Sequence, residues 1–380
     1  MRILIVQLSP IEAKSSATIS TLGLVKGLIE FNCVVDYLTA PASINHLKSN
    51  NKILNRINII RTQKNQTYDA FVKPSGKLKK TSLFFARKAF HFFCLYDYSY
   101  SIAKNIDLSV LVKTEYDLII SSSDPKTSHI AVQNLIKQGL QYKCWIQHWG
   151  DPMTLDIARK SIYPKKVVSM IEEKLLLSAD KIVYVSPFTL KEQKKLFPNL
   201  ADKMFFLPLP YIERKIYKHT NNKKFSVGYF GDYKSKIRNI MPLYNACMNL
   251  KDIYLNVAGT SDLSLKPTEN ITIYPRGDVS QLEQNSDLLI CVLNKKGSQI
   301  PGKLYYYAAT NKPILVLLDG DNRDEMRRYL RSFNRYLICN NDMDSIMIEI
   351  QGIMNENISY QPAVQFSAYT IATSLLKLMD

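Results

Sequence analysis

Short apolar runs alternate with amphipathic stretches along most of the chain. In the first half, Arg2–Leu8, Val34–Leu38, Leu118–Ser121, Cys144–Gln147 and Lys181–Val185 read as strands. Between them, apolar residues at helical spacing predict helices over Ser20–Glu30, Ser128–Gln138 and Val167–Leu177. The second half repeats the scheme, with strands at Ser226–Phe230, Tyr254–Ala258, Ile271–Tyr274, Leu288–Leu293 and Pro313–Leu318 and helices at Met241–Leu250 and Ser280–Asn285. Strands that are apolar throughout belong to parallel sheets covered on both faces, and the intervening helices supply the cover. The expected fold class is therefore α/β, with two Rossmann-like domains.

The pattern breaks at LPLPYIERKIYKHTNNKK, residues 207–224, where two prolines and a polar stretch mark a domain boundary. Residues 1–215 then form an N-terminal domain and 216–365 a C-terminal one, with a closing helix in 366–380. A length of 380 residues agrees, since one core of ordinary size would not hold the chain.

Hydrophobic content of 46% excludes a disordered chain. No uncharged apolar run approaches the ~18 residues that span a bilayer, and MRILIVQLSP reads as a buried strand rather than a leader. A cytoplasmic protein is expected. The six cysteines are scattered without a CxxC pair and the five histidines without HxxxH, so reduced thiols and no structural metal are expected.

Charge changes this picture. The net +17 is loaded on one half: residues 1–215 hold 31 Lys/Arg against 17 Asp/Glu, and residues 216–380 hold 19 against 16. Within the basic half, residues 73–104 carry seven Lys/Arg, one acid and eight Phe/Tyr. Basic and aromatic residues interleaved on a helix suit an anionic membrane surface, or else a core helix with a solvated basic face.

The richest local chemistry lies in Ser286–Gly320: a strand, a polar loop, a short helix opening at Pro301-Gly302-Lys303, and a second strand. Proline suits a first helical turn, and the free amides, the helix dipole and the Lys303 ammonium would together receive a phosphate. Gly228, Gly231, Gly259 and Gly277 follow or end apolar runs just upstream, as expected where strands give way to loops against a ligand. Asp319-Gly320-Asp321 also follows a strand, yet its late place in the second domain argues against a metal motif. Cations and a helix dipole neutralise a diphosphate without metal.

Four segments carry a resemblance. YDLIISSSDPKTSHIAVQNL with CWIQHWGDP, then SADKIVYVSPFTLKEQKKLFPN, then FSVGYFGDYKSKIRNIMPLYNA, and last QIPGKLYYYAATNKPIL together resemble the GT-B glycosyltransferases. Similarity is nearest to the bacterial family-4-type enzymes of surface polysaccharide synthesis. The resemblance implies two domains facing across a cleft, a nucleotide-diphosphate sugar as donor, a lipid-linked saccharide or polysaccharide as acceptor, and a retaining hexosyl transfer. It places the enzyme on the inner face of the cell membrane, with no cofactor and no nucleic acid.

The resemblance implies that Lys303 and Arg238 stabilise the departing diphosphate, with Lys234 and Lys236 as alternates. It implies a donor site at Gly231, Asn294, Gln299, Pro301 and Gly302, and a nucleobase loop at Arg276, Gly277 and Val279. His148 would touch the donor sugar and Asp151 orient or deprotonate the acceptor. Ser298 and Tyr306 stand where such enzymes carry a glutamate pair, so Tyr306 becomes a candidate nucleoside contact. Ser15 and Ser16 stand where a Gly-Gly is usual, with hydroxyls to offer a ligand. A GT-B-type sugar-nucleotide epimerase and a nucleic-acid-binding protein remain as alternatives.

Overall fold

A computed structural model describes residues 1–13, 15–41, 52–63, 65–72, 77–218, 224–356 and 360–379. The first residues of the basic-aromatic segment, 73–76, and the side chains of 72–81 lie outside the described residues, as do residues 219–223 of the boundary stretch. The chain divides into two compact units, Met1–Ile212 with Ala368–Asp380, and Glu213–Ser367.

The first unit is built on a seven-stranded sheet: β1 (Arg2–Gln7), β2 (Val34–Thr39), β3 (Asn58–Arg61), β4 (Glu115–Ser122), β5 (Gln141–Trp149), β6 (Lys181–Tyr184) and β7 (Met204–Phe206). Their spatial order is β3-β2-β1-β4-β5-β6-β7, and every pairing is parallel. The central strands are buried on both faces, which explains their continuous apolar runs. Leu4, Val6, Ile119 and Trp145 face one core cluster, while Ile3, Ile5, Leu118 and Ile146 face the other.

Helix Ser16–Glu30 begins one turn earlier than the hydrophobic pattern indicates. Ser15 caps it, its hydroxyl accepting from the Thr18 amide at 3.1 Å. That bond, and the Thr18 hydroxyl 2.9 Å away, give the Ser15 side chain a structural task. The same helix packs against helix Ala368–Leu376. A Cβ at Gly27 would lie 2.1 Å from the Ala368 carbonyl, so only glycine allows that approach.

The second unit holds six parallel strands: β8 (Phe225–Phe230), β9 (Ile253–Ala258), β10 (Ile271–Tyr274), β11 (Leu288–Val292), β12 (Ile314–Leu318) and β13 (Leu337–Asn340), in the order β10-β9-β8-β11-β12-β13. Strand order reverses between β8 and β11, as it does between β1 and β4 in the first unit. In open parallel sheets, ligands bind outside the carboxyl ends of the strands at such a reversal.

Candidate functional site

In the second unit, β8 runs into Gly231-Asp232 and β11 into Leu293-Asn294. Arg238 bridges these two strand ends. Its Nε donates to Asn294 Oδ1 at 3.0 Å and its Nη1 to the Asp232 carbonyl at 2.9 Å. Both acceptors are neutral, and among the described residues no carboxylate pairs with this half-buried guanidinium beside the sheet edge. The Asn294 amide donates to the Gln299 carbonyl at 3.0 Å, which ties the following loop to the same point. Lys234 and Lys236 are exposed on the segment that leads to Arg238. Arg276 reaches back to Asp232, its Nη1 3.2 Å from Oδ2. Gly277, exposed, and Val279, half-buried, follow on the same loop.

The helix after Pro301 spans Lys303–Tyr307, with Gly302 at its N-cap. Leu304 and Tyr305 already donate to the carbonyls of Pro301 and Gly302. That uses up amides the sequence assigned to a ligand. Lys303 is also engaged: its ammonium lies 3.0 Å from Glu283 Oε1 and 5.0 Å from the centre of the Tyr307 ring. Lys215 approaches the other oxygen of Glu283 at 3.3 Å. Two ammonium groups thus share one carboxylate that is 7% exposed, and the cluster keeps a net positive charge. Tyr307 joins it to β8, its hydroxyl donating to the Phe230 carbonyl at 3.4 Å. Pro301 and Gln299 are buried, whereas Gly302 and Tyr306 are half-buried.

Two glycines at this edge differ instructively. A Cβ at Gly259 would sit 2.1 Å from the Gly231 carbonyl, so close packing of the two strand ends demands glycine there. At Gly231 the nearest atom to an added Cβ is the Tyr229 hydroxyl at 3.6 Å, and the chain itself imposes no such demand.

Asp319 does not present a free carboxylate: Oδ1 accepts from the Gly320 amide at 2.8 Å and Oδ2 from Asn341 at 3.0 Å. Among the described residues no three His, Cys, Asp or Glu side chains converge as metal ligands.

In the first unit His148 lies within β5 rather than beyond its end, at 5% exposure. The sequence placed it past the strand because polar Gln147 looked like a terminus; both side chains instead fit inside the buried sheet. Nδ1 of His148 is 3.4 Å from the Ser122 hydroxyl, which meets Thr21 at 2.8 Å. Burial drives the His148 pKa down to about 4, so the imidazole is neutral near pH 7. A neutral ring can offer a hydrogen bond but is a weak base. Asp151 follows the strand end, half-buried, where its charge helps hold the Lys126 ammonium protonated.

Lys126 occupies the reversal between β1 and β4. Burial disfavours its charge, but Asp124 at 3.0 Å, Asp156 at 3.4 Å and Asp151 more than offset this and raise its pKa. Lys126, Asp124 and Asp156 line a cavity of about 690 Å³, as do Leu8, Ser9 and Pro10 just past the carboxyl end of β1. Ser15 and Ser16 lie at its wall. Asp97 also faces it, with a carboxyl raised in pKa by burial and partly countered by hydrogen bonds from Ser99. A mixed wall of aromatic rings and paired charges suits a polyhydroxylated ligand with an apolar portion. Sequence reasoning missed Asp97, Lys126, Asp156, Glu283 and Lys215. Lys126, four residues past the serine-rich end of β4, had a positional signal; Glu283, inside a short polar helix, had none.

No protein-family model matches the sequence, and no curated protein matches it either. Solved structures do. The chain is similar to the apo form of the lipopolysaccharide outer core galactosyltransferase WaaB, with a TM-score of 0.55 and 12% identity, over 100% of this chain and 99% of that one. It is similar to HepE of Anabaena in complex with UDP and glucose, with a TM-score of 0.54 and 12% identity, over 99% and 94% of the two chains. A trehalose-6-phosphate structure from E. coli, bound with UDP-2-fluoro glucose, aligns with a TM-score of 0.54 and 9% identity, over 100% and 96%. The chain has the two-domain α/β fold of the GT-B glycosyltransferases.

Proposed function

We propose that the protein is a glycosyltransferase that uses a nucleotide-diphosphate sugar, and that the carboxyl edge of the second sheet binds the donor. The observation that carries this reading is the excess of cations at that edge. Among the described residues Arg238 has only neutral acceptors, and Lys303 and Lys215 share Glu283. The open space over Gly231 lets a phosphate reach the backbone. HepE binds UDP and the E. coli structure holds a UDP-sugar on the same fold, which supports a uridine or related nucleotide here.

In this reading the bond from the anomeric carbon to the diphosphate breaks as an acceptor hydroxyl attacks that carbon, and the hydroxyl proton passes to a departing phosphate oxygen. Negative charge grows on the departing phosphate oxygens. Arg238 and Lys303 stabilise that charge more than the ground state, and no metal is required. Asn294 holds the Arg238 guanidinium in register, and Tyr306 takes the place of a ribose-binding carboxylate. In the first unit, Asp151 orients the acceptor. We assign the acceptor to a lipid-linked saccharide or polysaccharide in surface glycan synthesis, with retention at the anomeric carbon.

A thermal-shift screen of nucleotide sugars tests this. A donor at a hundred times its Kd stabilises the native state by about 2.7 kcal/mol, and Arg238→Ala should abolish that shift. No stabilisation by any nucleotide or nucleotide sugar would overturn the reading.

A further inference from the structure

Helix Lys77–Phe93 contains no acidic residue. Among its described side chains it turns one face to the first unit. There Arg87 donates to the Phe71 carbonyl at 3.0 Å through Nε, and Phe90 packs on Phe71 and Tyr98. The opposite face carries Phe84 at 63%, Phe85 at 62% and Phe93 at 61% exposure, with Lys88 between them. Three phenylalanine rings left in water, Phe84 and Phe93 at the two edges of the solvent half of the helix and Phe85 between them, are costly unless something covers them.

A second segment joins this face. The Ile162 amide donates to the Phe92 carbonyl at 3.0 Å, so the stretch before helix Lys165–Leu177 lies against the end of the first helix. Ile162 and Tyr163 are exposed, with Lys160, Lys165 and Lys166 exposed around them. Apolar side chains ringed by lysines complement an anionic lipid surface: the rings enter the acyl boundary while the ammonium groups meet the headgroups. No described helix is long and apolar enough to cross a membrane, so the contact is lateral.

The two segments also build the cavity wall. His91 and Cys94 line the cavity on either side of the exposed Phe92 and Phe93, and Lys160 and Ser161 line it just before Ile162. We propose that Phe84, Phe85, Phe93, Ile162 and Tyr163 dock the first unit on an anionic lipid surface, with the cavity mouth at the headgroup level. Resting on the transferase reading above, the acceptor then enters the cavity as a headgroup while its lipid stays in the bilayer.

Co-sedimentation of the full chain tests the docking without any donor. Vesicles of phosphatidylcholine and phosphatidylglycerol in equal parts should carry the protein down, and phosphatidylcholine alone should carry far less. Phe84→Ser with Phe85→Ser and Phe93→Ser should lower the bound fraction by roughly tenfold or more, while circular dichroism and melting temperature stay unchanged because the rings are exposed. Lys88→Glu with Lys165→Glu and Lys166→Glu should abolish the preference for the anionic vesicles. Unchanged sedimentation of the phenylalanine variant would overturn the proposal. So would a wild-type dimer in analytical ultracentrifugation that these substitutions dissolve, which would make a second copy the partner. Oligonucleotide binding at matched salt that falls in step with the substitutions would also overturn it, in favour of nucleic acid. If docking holds, transfer to a vesicle-borne acceptor should fall in the phenylalanine variant, while transfer to the same saccharide free in solution persists. Absence of all transfer would count against the transferase reading and leave the docking result standing.

Discussion

The Lys303 ammonium is held 3.0 Å from Oε1 of Glu283, a carboxylate that also binds Lys215. The pair fixes a flexible side chain before any phosphate arrives, so less entropy is lost on binding. Lys303→Ala should lower turnover by roughly two to three orders of magnitude, the cost of removing one electrostatic contact to a developing charge. Folding should be little changed, since Glu283 retains Lys215. Near-normal turnover would remove Lys303 from the mechanism.

Glu283→Gln separates positioning from charge. The variant should cost about 1–3 kcal/mol of stability, as for a lost hydrogen bond to a charged group, and free both lysines. Nucleotide affinity should then rise or hold while turnover falls, which parallel calorimetry and rate measurements would read. A parallel drop in affinity and turnover would contradict the positioning role.

Gly259→Ala and Gly231→Ala should part company. At Gly259 an added methyl meets a backbone carbonyl at 2.1 Å, and strain of about 1–3 kcal/mol or more should lower the melting temperature. At Gly231 there is room, so the variant should melt like the parent yet bind nucleotide more weakly. If Gly231→Ala bound normally, the donor would not approach the end of β8.

Tyr306→Ala is expected to weaken nucleotide binding with the fold intact, because the residue is half-buried on the helix after Pro301, where the resemblance implies a nucleoside contact. Loss of melting temperature without a selective binding defect would make Tyr306 a packing residue.

His148 gives a pH signature. Its pKa is depressed from 6.5 to about 4 by burial, so between these values the unfolded chain takes up a proton that the native protein refuses. Stability is therefore complete above pH 6.5 and declines as pH falls toward 4, by up to roughly 3 kcal/mol for this group. His129, wholly buried and lowered in the same direction first by burial and then by His148 and Lys126, adds to the decline. Melting curves across that range should flatten in His148→Asn. Equal slopes in the parent and the variant would contradict a neutral, buried His148.

How much was legible depended on burial. Strands covered on both faces, such as Arg2–Gln7 and Leu288–Val292, announce themselves as unbroken apolar runs. Three of the four edge strands do not: Asn58–Arg61, Met204–Phe206 and Leu337–Asn340 are three or four residues long and partly exposed, so their sequence carries little periodicity, whereas the edge strand Ile271–Tyr274 keeps a legible apolar alternation. The helices Arg323–Arg331 and Met343–Asn355 had no predicted counterpart although their buried residues are spaced helically. At the site, the helix start indicated Lys303, and the resemblance indicated Arg238 and Asn294. The sequence could not reveal that Glu283 binds Lys303, because residues twenty apart meet only through the tertiary fold. The depth of His148 was hidden likewise, since the polar pair Gln147-His148 inside β5 reads as a strand end.

The approach of Gly27 to Ala368 has a consequence for synthesis. The face that Gly27 opens is filled by residues made only after all of Glu213–Ser367. On the ribosome the second unit can therefore close as one continuous segment, whereas the first must wait with Leu24, Leu28 and their neighbours short of the cover that Ile371 and Leu375 bring. The unit translated first is the last to be finished. Its interval of exposed apolar surface lengthens with every residue inserted between the two pieces.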